Sequence, residues 1–237
     1  MFFIRSRFCL ILIASFILWG TLIYSQTKTD LLFLSAETYN PHKYREKIGN
    51  PYYFDHWMLG DAYDISGELY STLFMNYNIM ESQWEVRRMD KVVALDPTVF
   101  WCVIIHKQWN DYIWKYSQDS LLFIRGLLPK NEYRFAKVVY NGKKLRLYKD
   151  MQIHESSEKI FDKGKSAALN KLYRKDKYVL FKNGKIMDAG YTMLDIIGKT
   201  GHKEKILQYL NSRQMKFNED NDLALLMEYI EQNFIMQ

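Results

Sequence analysis

The side chains best suited to catalysis or metal binding are scattered along this chain of 237 residues. Its five histidines stand apart from one another, at His42, His56, His106, His154 and His202. No two of them have the short helical spacing of a zinc site, and the sequence contains neither a G-x-S-x-G elbow nor a G-x-G-x-x-G loop. The one local cluster is Asp55-His56-Trp57. A hydrolase built around His56 or His106 stays open, because catalytic triads are defined by geometry and not by sequence order.

Two segments imitate a phosphate loop and a calcium loop. Gly164–Ser166 matches the end of a P-loop, but Lys159 stands where that motif needs its first glycine. Asn218–Asp222 carries three calcium-loop side chains, but Leu223 replaces the glycine of the sharp turn and Tyr229 replaces the final glutamate. We therefore predict no metal and no cofactor, and we assign no catalytic residue.

The first 25 residues have the three parts of a secretory signal peptide. Two arginines precede the apolar run Phe8–Leu18, and a more polar segment closes at Ser25. We expect cleavage between Ser25 and Gln26, which makes the protein periplasmic or secreted. The alternative is an uncleaved anchor, because Phe8–Tyr24 gives about 17 mostly apolar residues, near the lower limit for spanning a bilayer.

Composition favours an ordered β-rich core and argues against nucleic acid. Hydrophobic residues form 48% of the chain and aromatic residues 16%, a content that suits the half-buried surface of a sheet. Without the two leader arginines the 33 basic residues become 31, against 27 acidic ones, which leaves only a weak attraction to anionic envelope polymers.

After removal of the predicted signal peptide, Cys102 is the one remaining cysteine. It lies in an apolar run, so we expect a buried, inert thiol and no disulfide within the chain.

Alternating apolar and polar residues predict short strands from Trp57 to Tyr148. The predicted strands are Trp57–Asp64, Leu69–Tyr77, Gln83–Arg88, Val92–Leu95, Phe100–Lys107, Tyr112–Tyr116 and Leu121–Arg125. Phe100–Lys107 is apolar on both faces and should be central. Asn141-Gly142 predicts a hairpin with a type I′ turn, and Asn183-Gly184 a second hairpin. The short spacings favour an antiparallel meander that can curl toward a barrel.

After Gly190 a helical period replaces the alternation and predicts two to three short helices. Thr192 is a candidate cap for a turn ending at Gly198, His202–Arg213 is a second helix, and Asn218 is a candidate cap for the last one. The apolar face of that last helix is Leu223, Leu226, Met227 and Ile230. The predicted class is α+β. Its predicted parts are a signal peptide (1–25), an N-terminal lead-in (26–50), an antiparallel β body (51–153), a loop or linker (154–176) and a β-hairpin plus helical tail (177–237).

The order of these pieces also carries a resemblance. The segments are Gly49–Tyr52, Met75–Asn78, Val93–Leu95, Val138–Leu147, Tyr178–Lys185, Lys203–Phe217 and Asp222–Tyr229. Together they resemble a family of uncharacterised exported proteins of Gram-negative bacteria, which share a β-rich body and a Leu- and Tyr-rich final helix. The resemblance covers residues 49–234 and implies export and a similar fold. It implies no activity and supplies no catalytic residues.

Three functions remain open from the sequence. The first is a non-catalytic periplasmic or envelope protein of unknown partner, which binds another envelope protein or helps to maintain the envelope. The second is a glycan- or lipid-binding module in which a curled sheet encloses a cavity and tryptophans stack on sugars. The candidate tryptophans are Trp57, Trp84, Trp101, Trp109 and Trp114. The third and weakest is an unrecognised hydrolase. No nucleic acid partner is expected, and membrane contact is expected only through an uncleaved leader.

Overall fold

The computed structural model describes residues 33–38, 44, 47–89, 91–106, 120–129, 131–162, 165–213 and 220–235. The predicted signal peptide and the predicted strand Tyr112–Tyr116 lie outside these ranges. The strands are β1 Phe33–Thr38, β2 Lys47–Ile48, β3 Met58–Asp64, β4 Leu69–Asn78, β5 Gln83–Arg88, β6 Lys91–Leu95, β7 Phe100–Ile105, β8 Leu121–Arg125, β9 Phe135–Asn141, β10 Leu145–Asp150, β11 Ile153–Asp162, β12 Lys165–Arg174, β13 Lys177–Lys182 and β14 Lys185–Gly190. The helices are α1 Met193–Thr200, α2 Lys203–Arg213 and α3 Asp220–Ile230, and a π-helical turn, Glu231–Ile235, follows α3.

Eleven of these strands form one antiparallel sheet in the order β1-β6-β5-β4-β3-β7-β8-β9-β10-β13-β14. The expected α+β class and antiparallel meander are therefore confirmed. β7, predicted to be central, is the middle strand of this order. The edges of the sheet are β1 and β14, so the sheet does not close into a barrel.

The sheet is nevertheless rolled, because a tight turn joins β6 to β7 although three strands lie between them. The carbonyl of Asp96 accepts hydrogen bonds from Val99 N at 3.1 Å and Phe100 N at 2.9 Å, which makes this connection compact. In a flat sheet the two strands would lie about 19 Å apart, four spacings of about 4.8 Å. Rolling brings distant strands together, and Trp84 on β5 meets Phe123 on β8 with ring centroids 4.9 Å apart.

Aromatic side chains fill the inside of the rolled sheet. Tyr77, Trp84 and Phe123 are fully buried there. The chain before β3 adds Tyr53 and Phe54, whose rings lie 5.6 Å and 6.4 Å from Phe123. Burying each large apolar side chain stabilises the fold by roughly 1.5–3 kcal/mol. This part of the sheet is therefore a packed core, and the protein's own rings fill the space in which the second hypothesis places a ligand cavity.

The helical tail covers the other end of the large sheet. Leu147 and Leu180 of the sheet are buried against the helices. The predicted apolar face of the last helix is confirmed, since Leu223, Leu226, Met227 and Ile230 are all buried. The Thr192 cap is also confirmed, with a capping box to Asp195, but α1 continues to Thr200 and does not end at Gly198. The predicted cap Asn218 lies outside the described residues.

The two Asn-Gly turns differ. Asn183-Gly184 has φ angles of 51° and 77° and closes β13 and β14 with a two-residue loop, as a type I′ turn does. The type I′ prediction for Asn141-Gly142 is wrong, because neither residue has a positive φ and the first strand pair is Asn141 with Arg146. The β9–β10 loop is longer because it wraps around the carboxylate of Glu231, as described below.

The predicted loop or linker at 154–176 is also wrong. β11 and β12 pair antiparallel from Ile153 with Arg174 to Asp162 with Lys165, and β12 pairs in parallel with β2. This hairpin belongs to a separate three-stranded sheet. The hydrogen bonds between β11 and β12 join backbone groups and do not depend on the side chains. The hairpin can therefore form without alternating apolar and polar residues.

Candidate functional site

The cluster around His56 lies at the surface and is held by two asparagine side chains. Asp55 and His56 are both exposed. Asp55 Oδ1 accepts a hydrogen bond from Asn50 Nδ2 at 3.0 Å, and the backbone carbonyl of His56 accepts one from Asn76 Nδ2 at 3.2 Å. Within the described part of the chain, no hydrogen bond joins the His56 ring to a carboxylate. These contacts hold the segment before β3 in place.

His106 does meet a carboxylate. Its Nε2 lies 3.1 Å from Asp61 Oδ2, and Asp61 Oδ1 accepts a hydrogen bond from Thr72 N at 3.0 Å. Thr72 has a φ of 63°, which is rare for a β-branched residue, so Asp61 supports a strained backbone. Cys102 lies on β7, the strand that ends just before His106. It is buried, as predicted, and burial raises its pKa to about 11. The hydrolase hypothesis thus keeps a carboxylate–imidazole pair but cannot use this thiol as a ready nucleophile.

The tryptophans proposed as a sugar platform lie in different environments. Trp84 is fully buried, Trp101 is 39% exposed, and Trp57 is half-buried against Tyr52 with ring centroids 6.1 Å apart. Trp109 and Trp114 lie outside the described residues. The three described side chains do not form one stacking surface, since Trp84 belongs to the core of the rolled sheet.

A groove of about 670 Å³ lies between α2 and the end of α3. We call it the helical groove. Its lining residues are His202, Lys205, Gln208, Tyr209, Ser212, Tyr229, Asn233 and Phe234. On α2 these positions recur every three or four residues, which places them on one face of the helix. The spacing of the α2 residues can be read from the sequence. That residues at the end of α3 lie opposite them cannot, because these are about twenty positions further along the chain.

Aromatic rings form one wall of the helical groove. Tyr209 and Tyr229 stack with centroids 3.6 Å apart and planes at 7°, and His202 stacks on Phe234 at 4.8 Å. Tyr229 and Phe234 meet edge to face at 5.8 Å. The rings thus form a continuous aromatic wall, in which the two stacked pairs cover one face of each ring.

The polar residues of the helical groove favour a hydroxyl-rich or anionic ligand. Ser212 and Asn233 donate hydrogen bonds to the carbonyls of Tyr209 and Tyr229, and each keeps a side-chain oxygen that can accept a further hydrogen bond. Lys205 supplies a positive charge, and the lining contains no Asp or Glu. The groove therefore combines a cation, hydrogen-bonding groups and rings.

Basic side chains crowd the end of the sheet beside the helical groove. The β9–β10 and β13–β14 loops are neighbours there, since Leu145 pairs with Lys182 and Asn183 N donates to the carbonyl of Lys144 at 3.4 Å. Lys182 Nζ donates to the carbonyl of Thr200 at 2.5 Å, which joins the loops to the C-terminal end of α1. We call the surface formed by Lys143, Lys144, Arg146, Lys182, Lys185, Lys199 and Lys203 the basic end. Within the described residues none of these side chains forms an ion pair.

Glu231 is one of the acids near the basic end, and the β9–β10 loop binds its carboxylate. The carboxylate accepts hydrogen bonds from Lys144 N at 2.5 Å, Leu145 N at 2.9 Å and the Tyr140 hydroxyl at 2.6 Å. Burial raises the pKa of Glu231, but these donors and the Lys143 N–H outweigh it and lower the pKa below its usual value. Glu231 is therefore ionised at neutral pH, and its charge is engaged by the loop.

Comparison of the chain with protein-family models, curated proteins and solved structures found no match. The resemblance to exported β-rich proteins therefore stays a prediction. In the described ranges no helix has the length and apolar character needed to span a bilayer.

Proposed function

We propose that this protein is an exported, non-catalytic module of the bacterial envelope that binds an anionic polysaccharide. The observation that carries the proposal is the position of the basic end beside the helical groove. Gly201, which ends α1, lies next to Lys182, and the groove begins with the following residue, His202. One bound chain can thus reach both surfaces.

The two surfaces suit two parts of such a chain. Sugar rings offer flat C–H faces that stack on Tyr and Phe rings, and their hydroxyls can bond to Gln208, Ser212 and Asn233. Acidic substituents match the lysines of the basic end. Because one exposed ion pair contributes only about 0–1 kcal/mol, useful affinity needs several cations at once, which a polymer with repeated charges engages.

The predicted signal peptide supports the same reading. Cleavage between Ser25 and Gln26 would deliver the mature chain to a compartment where such polymers lie. This proposal keeps the glycan ligand of the second sequence hypothesis but moves it from the sheet to the helical tail. The inside of the rolled sheet is filled by aromatic side chains and is not used.

Binding to immobilised alginate, a polyuronate, tests the proposal, with uncharged dextran for comparison. The mature chain, residues 26–237, should bind alginate in a salt-sensitive way and should not bind dextran. Exchanging Lys143 and Lys185 for Glu should weaken binding by at least about tenfold, or 1.4 kcal/mol. Lys91→Glu is the control, because Lys91 is an exposed lysine on β6, which five strands separate from β9 in the order of the sheet.

Polyphosphate separates the contribution of the rings from that of charge. It carries repeated anions but no sugar faces, so Phe234→Ala, which removes a ring of the groove and no charge, should weaken alginate binding more than polyphosphate binding. Equal loss on both polymers would reject the groove as a sugar site. Absence of alginate binding, together with a reproducible protein partner from cross-linking in cells, would favour the protein-binding role instead.

A further inference from the structure

A smaller cavity adjoins the helical groove at the π-helical turn. Its volume is about 370 Å³. Its lining residues include Asn141, Lys143, Arg146, Glu231 and Gln232. Gln232 lines this cavity and the next residue, Asn233, lines the helical groove, so the two cavities meet at the turn. We call the smaller cavity the Arg146 pocket.

Uncharged groups hold the guanidinium of Arg146 in place. Its Cζ lies 5.0 Å from the centre of the Phe181 ring, and its Nε donates to the carbonyl of Gly142 at 3.4 Å. Neither partner is an acid, so the positive charge is not neutralised. In the described part of the chain the guanidinium makes no other hydrogen bond, and its Nη groups can therefore still donate to a ligand.

The lining carries a net positive charge. Lys143 and Arg146 are two cations against the one carboxylate of Glu231, a net charge of +1. That carboxylate accepts the hydrogen bonds from Leu145 N and the Tyr140 hydroxyl described above, and Glu231 is only 4% exposed. The acid is thus engaged by the loop, whereas within the described residues neither cation has an acidic partner. An anionic group of a ligand is therefore favoured in this pocket.

Amide side chains accompany the two cations. Gln232 Nε2 donates to Glu228 Oε1 at 3.2 Å, which leaves the Gln232 amide oxygen as an acceptor. Asn141, at the end of β9, is exposed and offers a second amide. Amides bind hydroxyl groups and the cations bind an anion, so the lining suits a ligand that carries both. A uronic acid residue has a carboxylate and several hydroxyls on one sugar ring.

We propose that the Arg146 pocket binds one uronic acid residue of the polysaccharide, with its carboxylate on Arg146. A guanidinium presents its N–H groups in a flat fork that matches the two oxygens of a carboxylate, which an ammonium group does not. The volume lies within the range of about 300–1,000 Å³ that is usual for small-molecule sites. The inference rests on the proposed function, because it assigns the acidic group of the same polymer. Neighbouring sugars of that polymer lie at the helical groove.

A substitution that conserves charge tests the pocket on immobilised alginate. Arg146→Lys keeps the cation and loses the fork, so it should bind alginate at least about fivefold more weakly than the parent mature chain. The dependence of affinity on salt concentration should stay the same, because the number of charges is unchanged. Dextran sulfate has repeated anions without uronic acids, and both proteins should bind it equally. Gln232→Ala, at an exposed side chain, should also weaken alginate binding.

Arg125→Lys is the matched control. Arg125 also lies over a ring, that of Tyr133 at 5.9 Å, and donates to a backbone carbonyl, that of Pro97. It pairs with Phe135 at the start of β9, whereas the Arg146 pocket lies beyond the end of that strand. Arg125→Lys should therefore bind alginate as the parent does.

The outcomes separate the pocket from the proposed function. If the parent binds alginate and Arg146→Lys binds it equally well, the pocket assignment is wrong and the proposed function stands. An equal loss of alginate and dextran sulfate binding in Arg146→Lys would show a general anion site and overturn the uronic acid assignment. If the parent does not bind alginate at all, the proposed function itself fails.

Discussion

Gly142 and Glu231 are in direct contact across the β9–β10 loop. A methyl group on Gly142 would overlap the Glu231 carboxylate and would also lie 2.7 Å from the Tyr140 ring. This glycine is required by a close approach and not by a positive φ, in contrast to Gly184, which has a φ of 77° and nothing near its missing side chain. The contact anchors the end of the helical tail to the sheet.

Gly142→Ala should therefore destabilise the protein. The new Cβ forces the Glu231 carboxylate or the loop to move, and overpacking of this kind costs about 1–3 kcal/mol. Urea unfolding of the variant would measure the loss. Gly198→Ala is the control, because Gly198 lies within α1 with nothing within 4 Å of its Cβ position. It should be neutral or stabilise by up to about 1 kcal/mol, and a larger loss there than at Gly142 would contradict the assignment.

Glu231 should make stability depend on pH in the acid range. The loop lowers its pKa in the folded state, so its contribution is fully present above the pKa of the unfolded chain. As the pH falls, the unfolded state takes up the proton first, and the contribution is lost once the pH passes the folded pKa. The free energy of unfolding of Glu231→Gln should thus lie about 1.5–3 kcal/mol below that of the parent at neutral pH. The difference should shrink in acid, and a constant difference would reject the loop as a carboxylate site.

Local patterns in the sequence predicted local structure well and distant contacts poorly. The alternation of apolar and polar residues predicted β5 and β8 with the ends that the structure shows. The Thr192 cap and the Asn183-Gly184 turn were also predicted correctly, because each depends only on neighbouring residues. Asn141-Gly142 is the same dipeptide as Asn183-Gly184 but does not form the same turn. Its loop binds the carboxylate of Glu231, which lies some ninety positions later in the chain. The helical groove likewise needs two helices to face each other. The β11–β12 hairpin was missed because its strands lack the alternation that marks a sheet face packed on the core.

Asp220 should be essential for attaching the start of α3 to the sheet. Its carboxylate pairs with Lys137 Nζ at 2.6 Å and also with Lys149, and all three side chains are largely buried. Burial raises its pKa, but the two lysines outweigh burial and lower it. Asp220→Asn leaves the buried Lys137 without its carboxylate and Lys149 with only Asp176, 3.9 Å away, and should cost about 3 kcal/mol in chemical denaturation. Asp222→Asn, in the same turn of α3, should cost less than about 1 kcal/mol.

Met89 should be replaceable by glycine with a gain in stability. It lies in the β5–β6 turn with a φ of 55° and is 94% exposed, so its side chain contributes little packing to offset the left-handed backbone. Because that conformation costs a non-glycine residue about 1–2 kcal/mol, Met89→Gly should raise the melting temperature. Met151→Gly, at a fully buried methionine, should lower it sharply. A lower melting temperature for Met89→Gly would mean that the exposed methionine makes a stabilising contact.

Cys102 should react slowly with thiol reagents as long as the protein is folded. The mature chain contains this one cysteine, so Ellman's reagent reports on it alone. Burial raises its pKa to about 11, so near pH 8 the thiolate is a very small fraction of the population, on the order of one part in a thousand. Labelling should therefore be slow in buffer and rapid in denaturant, and Cys102→Ala should leave the alginate binding described above unchanged. Rapid labelling of the folded chain would show that β7 opens locally, and the packed core of the rolled sheet would then need revision.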